Sequence, residues 1–391
     1  MKIVLSSIGK FHTFDMAREL FLRGLLGEIF TGYPNFKLKN ENLPKSLIHT
    51  FPYLHASYMK FPYWESVGNR VKKEWEYWDM NLFDRHVARN IQDCDVFSGL
   101  SGSALRTGRV VKERGGIYIC DRGSTHIRVQ DQILREEHQR WGLAYKAIDP
   151  RIIEGEEAEY ELADAITVPS SFVYQTFIDS GISPEKLHLI PYGVNLEKFQ
   201  KTAEPSSGRF DILFVGGGSL RKGVIDLLHA YAKVRYPLKT LTLVGSFSSD
   251  FIKYLKKMNL LSDGIKMTGH LPQERLKEIM SRSHVMVLPS VEEGLAMVQA
   301  QAMACGCPVI ATKNTGAQNL YVDQKEGFIV PIRRPDMIAE KLQYLADHPD
   351  IRKSMSLLAL TKVRQMGGWT SYGDMTASLM KNLTTKNILH A

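Results

Sequence analysis

A short polar turn at Glu293 and Gly294 combines residue types that suit the binding of a sugar phosphate. It lies between HVMVLP, an apolar run typical of a buried strand, and LAMVQAQAMAC, a run rich in good helix formers. A strand that leads into a helix leaves unpaired backbone amides and the positive end of a helix dipole together, which favours phosphate. Because a carboxylate repels a bare phosphate, Glu293 indicates hydroxyl groups attached to that phosphate. The pattern predicts a site for a sugar nucleotide.

The segment PSVEEGLAMVQAQAMACGCPVIAT resembles the nucleotide-sugar signature of the retaining glycosyltransferases of family 4, which have the two-domain GT-B fold. The resemblance implies that Glu293 faces the donor sugar. It also implies that Gln301 replaces a second Glu, which holds the ribose in that family. A neutral amide still hydrogen-bonds two hydroxyls, so this departure bears on ribose affinity and not on the fold.

The same resemblance implies a row of donor-binding residues along the turn, in which the amides of residues 295–298 face the pyrophosphate. These residues are Gly294, Leu295, Ala296, Met297 and Val298. The alternative interpretation is an ordinary Ala-rich helix buried against an α/β sheet. The helix by itself favours that alternative. The whole segment, in which a strand, a turn, a helix and a second strand follow one another, favours the donor site.

A second turn, VGGGSLRKG, has three glycines after a strand and two cations just before the next helix. Glycines let the backbone approach a ligand closely, and Arg221 and Lys222 would offset the charge of a pyrophosphate. Family members carry a Lys-Gly pair at this place, but many also have an Arg where this chain has Gly217. We therefore expect Arg221 to supply the missing guanidinium. Alone, the motif would fit a tight turn whose cations face water.

Polar residues follow an apolar strand in the first half of the chain, in IYICDRGSTHIRVQ. Strand ends meet at one edge of a parallel sheet, so these side chains are expected at the edge of a crevice. The family has a His at a comparable place that touches the donor sugar, and His126 is matched to it as a catalytic residue. Gly9, in the tight turn after the first strand, is assigned to donor binding. His12, just beyond it, is the weaker histidine candidate.

The order of strands and helices divides the chain into two similar halves, each beginning with a strand, a glycine turn and a helix. The predicted fold is α/β of the GT-B type, with two facing Rossmann-like domains and the active site in the cleft between them. The first domain is expected to span residues 1–200 and to bind the acceptor. The second is expected to span residues 201–368 and to bind the donor. Residues 369–391, anchored by Trp369 and Tyr372, are expected to return as a helix to the first domain.

Composition sets limits on the remaining classes of function. The 391 residues carry a formal net charge of +8, but Lys and Arg are dispersed and no nucleic-acid motif occurs. No apolar run is long enough to span a bilayer and the N-terminus lacks the apolar core of a signal peptide, which predicts a cytoplasmic protein. Four cysteines without paired CxxC spacing indicate reduced thiols, and no metal-binding motif is found, so neither a metal nor a cofactor is expected.

The sequence thus predicts a metal-independent, retaining glycosyltransferase that moves a sugar from a nucleoside-diphosphate sugar to a glycan or lipid-linked acceptor. Within enzymes, the alternatives are a GT-B relative such as a phosphorylase or an epimerase. Outside enzymes, the alternative is a nucleotide-sugar-binding regulatory protein without turnover, for which Gln301 and Gly217 are the hints.

Residues 51–83 are rich in aromatic side chains interleaved with cations, which is the chemistry of a surface that meets lipid headgroups. The rings and cations are Tyr58, Tyr63, Trp64, Trp75, Tyr77, Trp78, Lys60, Arg70, Lys72 and Lys73. The alternative is that the rings pack a helical insertion onto the first domain while the cations face water. Many family members glycosylate lipids, so the resemblance favours peripheral contact with an anionic membrane.

Overall fold

The computed structural model describes residues 1–61 and 68–390, and it contains two parallel β-sheets, each covered by helices. The strands of the first sheet are β1 (Ile3–Ser7), β2 (Leu26–Thr31), β3 (Ile48–Thr50), β4 (Val96–Leu100), β5 (Ile117–Asp121), β6 (Ala165–Val168) and β7 (Leu187–Leu189). The strands of the second are β8 (Phe210–Val215), β9 (Lys239–Val244), β10 (Ile265–Gly269), β11 (Val285–Leu288), β12 (Val309–Thr312) and β13 (Gly327–Val330).

An α-helix connects most pairs of successive strands within each sheet, as is usual for parallel pairing, whereas short 3-10 segments connect β2 to β3 and β12 to β13. The α-helices of the first half are α1 (Thr13–Leu22), α2 (Tyr53–Lys60), α3 (Asn69–Asn90), α4 (Leu105–Glu113), α5 (Ile127–Arg140), α6 (Pro150–Leu162) and α7 (Ser171–Asp179). Those of the second half are α8 (Val224–Lys233), α9 (Ser249–Lys257), α10 (Gln273–Arg282), α11 (Val298–Ala304), α12 (Pro335–Asp347), α13 (Pro349–Gln365) and α14 (Gly368–His390).

Each sheet reverses its strand order once. The first sheet has the order β3-β2-β1-β4-β5-β6-β7 and the second the order β10-β9-β8-β11-β12-β13. The reversal lies between β1 and β4 in one sheet and between β8 and β11 in the other. Parallel α/β sheets bind ligands outside the carboxyl ends of the strands at such a reversal. The topology therefore directs attention to the loops after β8 and β11 and to the loops after β1 and β4.

The central strands are buried on both faces, which explains their continuous apolar sequences. Every residue of β1, β5 and β11 is buried, so hydrophobic side chains are required on alternate sides of each strand. Two helices end shortly before a glycine: Gly24 and Gly306 follow α1 and α11 with φ values of 67° and 72°. This left-handed backbone is open to glycine without strain, so a glycine in the sequence indicates the end of each of these helices.

The last helix, α14, packs on α1 of the first domain. Arg23 at the end of α1 donates to the Asp374 carboxylate at 2.7 Å and to the Thr370 carbonyl at 3.0 Å. Tyr372 is buried beside Tyr192, with ring centroids 6.0 Å apart. The helix thus joins the first domain after the chain has completed the second sheet.

Within the part of the chain that the structure describes, no helix has the length and apolar character needed to cross a bilayer.

All four cysteines are free, and burial raises the pKa of Cys94 and Cys305 to about 12.

Candidate active site

The loops after β8 and β11 meet at the strand reversal of the second sheet. Gly223, which precedes α8, has a φ of 64°, and a Cβ there would lie 2.0 Å from the Pro289 carbonyl oxygen. Only glycine fits this contact, because any side chain would collide with the backbone of the other loop. Gly217 in the same loop is exposed, and a Cβ there would meet only the Ser246 carbonyl oxygen, at 3.8 Å. The position where many family members have an Arg is therefore open.

Two predicted site residues form an ion pair at this junction. The Nζ of Lys222, from the loop after β8, contacts the Glu293 carboxylate, from the loop after β11. Glu293 is buried and its backbone amide donates to the Asn314 carbonyl at 3.0 Å, which fixes the turn. The charge of Lys222 is thus neutralised by the carboxylate expected to face a sugar.

A second ion pair lies directly beside the first. The Nε of Arg221 lies 2.7 Å from the Glu292 carboxylate, with which it forms an ion pair, and it donates to the Glu292 carbonyl at 3.1 Å. Sequence reasoning singled out Glu293 and missed Glu292. The sequence did contain a signal for a second ion pair, because PSVEEG has two adjacent Glu residues and SLRKG has two adjacent cations.

The turn between Glu293 and α11 presents unpaired backbone amides, as predicted, with one exception. Ala296 donates its amide to the Thr315 carbonyl at 3.2 Å, so this amide is not available to a ligand. Within residues 1–61 and 68–390, no protein acceptor pairs with the other four amides of the turn, those of Gly294, Leu295, Met297 and Val298.

The predicted start of the helix is also wrong. Residues 295–297 were expected in the helix, but α11 begins at Val298, because the bond from Ala296 holds the chain against the loop after β12. Gln301 lies one turn into α11 and is half-buried, and its side-chain amide has no partner among the described residues. Gln299, which is buried, donates instead to the Thr315 carbonyl at 2.9 Å.

His126 does not lie where the sequence placed it. It is the N-cap of α5, accepts from the Arg128 amide at 3.4 Å, and is buried. Its ring packs on Tyr160 and Phe177 in the core of the first domain, at 5.1 Å from each ring centroid. Burial lowers the pKa of His126 to about 4, so the ring is neutral at pH 7. The expected position at the crevice edge is corrected, because Ser124 and Thr125 occupy that edge and the backbone then turns the ring inward.

His12 lies nearer to the junction of the domains. Its Nε2 is 2.6 Å from the Asp121 carboxylate, and its ring stacks on Tyr192 at 4.2 Å. Asp121 also accepts from the Thr167 hydroxyl at 2.9 Å, which holds the carboxylate in place. A Cβ on Gly123 would lie 3.8 Å from Cε1 of His12 and 3.1 Å from the Tyr192 hydroxyl.

Gly123, which lies next to His12 and Tyr192, contacts the second domain. A Cβ on Gly294 would lie 1.9 Å from the Gly123 carbonyl oxygen, so the two backbones touch across the interdomain cleft. Ser170, after β6, donates its hydroxyl to the Gly294 carbonyl at 2.6 Å. His12 and the turn at Gly294 therefore both lie next to Gly123, His12 in the first domain and the turn in the second.

Gly9 lies in the loop after β1, where it is covered by the ring of Phe11. A Cβ on Gly9 would lie 2.2 Å from that ring, and Phe11 has a φ of 31° and is 61% exposed. Ser7 donates its hydroxyl to the Gly9 carbonyl at 3.0 Å. An exposed aromatic ring, not the glycine itself, is what this loop presents to solvent.

Among the described residues, His, Cys, Asp and Glu side chains form no group of three or more that could hold a metal ion. Independence from metal stays a prediction, which activity measurements must decide.

Comparison with known proteins shows which family this chain resembles. The family model described as glycosyl transferases group 1 matches residues 196–358, which include Arg221, Lys222 and Glu293. The D-inositol 3-phosphate glycosyltransferase of Streptosporangium roseum is 25% identical over 303 residues, which are 71% of this chain and 68% of that protein. The MMP alpha-(1->4)-mannosyltransferase of Mycolicibacterium hassiacum is 30% identical over 159 residues, 39% of this chain and 38% of that protein.

Solved structures agree in fold. Sucrose-phosphate synthase from Thermosynechococcus elongatus superimposes with a TM-score of 0.74 at 21% identity, over 99% of this chain and 100% of that one. The Anabaena protein HepE in complex with UDP and glucose gives 0.73 at 17% identity, over 98% and 100%. At these identities the likeness concerns the fold alone. The likeness to the predicted family and the predicted architecture are both confirmed: residues 196–358 match the group 1 glycosyl transferases, and the chain has the GT-B fold.

Proposed function

We propose that the protein transfers a sugar from a nucleoside-diphosphate sugar to a glycan or lipid-linked acceptor, with retention of the donor's anomeric configuration and without a metal ion. The observation that carries the proposal is the placement of Arg221 and Lys222 beside unpaired amides at the strand reversal of the second sheet. Cations and amides in fixed positions stabilise a departing diphosphate, and such stabilisation is usually the largest contribution to catalysis. The product would belong to polysaccharide or glycolipid biosynthesis.

Glu293 supports the presence of a sugar next to that diphosphate. Its carboxylate contacts Lys222 and adjoins Gly294, which touches the first domain. Hydroxyl groups of a bound sugar would donate to Glu293, and Lys222 would then turn towards the diphosphate. Retention follows from attack by the acceptor hydroxyl on the face that the diphosphate leaves, so that one C–O bond forms as the other breaks.

We assign the histidine that approaches the sugar from the first domain to His12 in preference to His126. His12 adjoins the Gly123–Gly294 contact and is oriented by Asp121, whereas the His126 ring is enclosed by Tyr160 and Phe177. A histidine held by a carboxylate keeps a fixed ring orientation, which a contact with a reacting sugar requires.

The proposal is tested with the purified protein, a set of UDP- and GDP-sugars, and excess chelator. Thermal shift identifies the donor, because a ligand that binds only the folded protein raises the melting temperature. Transfer to a glycan or lipid-linked acceptor is then followed by NMR of the anomeric proton. We expect transfer in chelator and a product with the donor's configuration. Loss of transfer in chelator, or an inverted product, would refute the proposed mechanism.

A nucleotide-sugar-binding protein without turnover is the second candidate, favoured by Gln301 and Gly217, where the family has Glu and often Arg. Release of labelled sugar from the donor, by transfer or by slow hydrolysis, separates the two. A protein that binds the donor but releases no label belongs to the second class.

We further propose that the helical insertion of the first domain contacts an anionic membrane. Helices α2 and α3 carry side chains that face solvent: Tyr53, Met59, Val71 and Trp78 are 52–73% exposed. Nearby, Lys60 and Lys37 lie over the exposed ring of Phe36, at 5.7 and 5.9 Å from its centroid. Rings beside cations are typical of surfaces that enter the headgroup region.

Other aromatic residues of this region pack within the protein. Tyr58 donates to the Glu76 carboxylate at 2.6 Å, Trp75 donates to the Leu54 carbonyl at 3.4 Å, and Arg151 stacks on Tyr77 at 4.0 Å. The membrane proposal therefore rests on the outward-facing residues alone. Tyr63 and Trp64, which the sequence placed in the same surface, lie outside the described residues.

Vesicle flotation at low and physiological salt tests the membrane proposal. Replacing Lys72 and Lys73 by Glu should weaken binding to anionic vesicles and leave donor affinity unchanged, because exposed charges act over about 8 Å at physiological ionic strength. Neutral vesicles serve as the control. Absence of flotation with anionic vesicles at low salt would contradict the proposal.

A further inference from the structure

Glu292 is a fully buried carboxylate to which the proposed reaction gives no role. Its side chain is 0% exposed, although it lies in the loop after β11 at the interdomain cleft. It accepts from the Ser124 hydroxyl at 2.6 Å, the Thr125 hydroxyl at 2.9 Å and the Thr125 amide at 3.2 Å. These three donors belong to the first domain, so one carboxylate of the second domain holds the loop after β5 of the first.

The carboxylate is held in its charged form. Burial alone would raise the pKa of Glu292, but the positive charge of Arg221 and the hydrogen bonds from Ser124 and Thr125 outweigh burial and lower that pKa. A buried charge without such partners is costly, so the contacts across the cleft are required once Glu292 is buried.

Arg221 uses only part of its guanidinium in this network. Its Nε donates to Glu292, and its Nη2 is 3.5 Å from the Ser124 hydroxyl, at the limit of a hydrogen bond. The side chain is 36% exposed. A guanidinium that is fixed through Nε can present its terminal N–H groups as a fork, the geometry that binds phosphate in a bidentate manner.

We propose that Glu292 is a positioning residue, which aims the terminal N–H groups of Arg221 at the donor diphosphate when the Ser124–Thr125 loop is in place. This inference rests on the proposed function, since it requires a diphosphate at Arg221. Glu292 itself touches no substrate. Through Glu292, contact with the Ser124–Thr125 loop of the first domain determines the orientation of Arg221 in the second domain.

A separate set of ion pairs joins the domains at the other end of α5. Arg140 binds the buried Asp226 carboxylate through two bonds of 2.8 and 2.7 Å, and Arg333 binds Glu137 at 2.7 Å. Loss of the Glu292 charge should therefore loosen the Ser124–Thr125 loop locally and leave the domains together. Asp226 also supplies a matched control, because it is a buried interdomain carboxylate without a contact to Arg221.

Hydrogen–deuterium exchange of the ligand-free protein tests the contact with the loop. In Glu292→Gln, the amide of Thr125 should exchange about tenfold faster or more, the change expected for weakening hydrogen bonds to a charged group. Glu293→Gln, which changes the neighbouring carboxylate, should leave exchange at Thr125 as in the wild type. Equal exchange in Glu292→Gln and wild type would overturn the inference.

Titration with UDP and with GDP tests the orientation of Arg221. Glu292→Gln and Arg221→Lys should each weaken binding of the accepted nucleotide about tenfold, and the double variant should also bind about tenfold more weakly, not a hundredfold. Asp226→Asn should bind as the wild type does. A hundredfold loss in the double variant, or equal losses in Asp226→Asn and Glu292→Gln, would mean that Glu292 acts only through general stability.

The two experiments separate this inference from the proposed function. A wild-type protein that binds neither UDP nor GDP would refute the donor site and, with it, the orientation of Arg221 towards a diphosphate. Exchange at Thr125 would still decide whether Glu292 holds the first-domain loop. Nucleotide binding with independent effects at Glu292 and Arg221 would refute the inference and leave the proposed function intact.

Discussion

Replacing Glu293 by Gln should separate the positioning of the sugar from the binding of the diphosphate. Gln keeps the size of the side chain and its ability to hydrogen-bond hydroxyls, but it removes the charge that pairs with Lys222. We expect turnover to fall by about a hundredfold, as when one contact made in the transition state is lost. At about 1.36 kcal/mol for each factor of ten, this corresponds to about 2.7 kcal/mol.

Affinity for the nucleotide alone should change in the opposite direction. A diphosphate that binds at this site must compete with Glu293 for Lys222. Glu293 is buried and the Lys222 side chain is only 26% exposed, so the pair contributes more than a fully exposed one, which is worth about 0–1 kcal/mol. Affinity of Glu293→Gln for UDP or GDP should stay the same or rise up to about tenfold, since about 1.4 kcal/mol is a factor of ten. Lys222→Ala should instead weaken that binding.

Steady-state kinetics and calorimetric titration of the same preparations provide the assay. Glu326→Gln is the matched control, because Glu326 is also a buried carboxylate of the second domain but binds the Val322 amide, at 2.8 Å. Turnover of that variant should equal the wild type. Near-normal turnover in Glu293→Gln would show that the active centre lies elsewhere. Weaker nucleotide binding in the same variant would show that Glu293 does not compete for Lys222.

Three further predictions follow from the surroundings of single side chains. His12→Ala should lower turnover with little change in nucleotide affinity, whereas His126→Ala should mainly lower the melting temperature, by loss of a helix cap worth about 1 kcal/mol; the opposite pattern would restore His126 as the catalytic residue. Gln301→Glu should change donor affinity by no more than about tenfold, because either side chain accepts from ribose hydroxyls; inactivity of the folded variant would contradict this. Because burial lowers the pKa of His126 and of His284 to about 4, both rings are neutral in the folded protein and protonation favours unfolding. Their contribution to stability is complete above about pH 6.5 and is lost as pH falls towards 4, so the melting temperature should drop over that interval, and less so in His126→Gln.

The architecture, and the loops that form the candidate site, could be predicted from the sequence because they follow from local patterns. Apolar runs marked the strands, and Gly24 and Gly306 marked helix ends, since a left-handed backbone selects glycine wherever it occurs. The pairing of cations with carboxylates was also within reach, as SLRKG and PSVEEG each carry two adjacent charges.

Contacts between distant segments could not be predicted in the same way. Glu292 is buried because Ser124 and Thr125, more than 160 residues earlier, donate to it. The start of α11 depends on the bond from Ala296 to Thr315 on another loop. The inward turn of His126 depends on Tyr160 and Phe177, which no local pattern connects to it.

The return of α14 to α1 has a consequence for how the chain is made. The helix contacts α1 through Arg23 and Asp374, and it places Tyr372 beside His12, at 6.3 Å between ring centroids. Domains generally fold in order as they leave the ribosome, but here residues 368–390 are synthesised after both sheets. The surface of the first domain around His12 therefore stays incomplete until the second domain has been translated. A nascent chain that stops before residue 368 has the residues of both sheets but lacks Tyr372, which packs beside His12 in the complete fold.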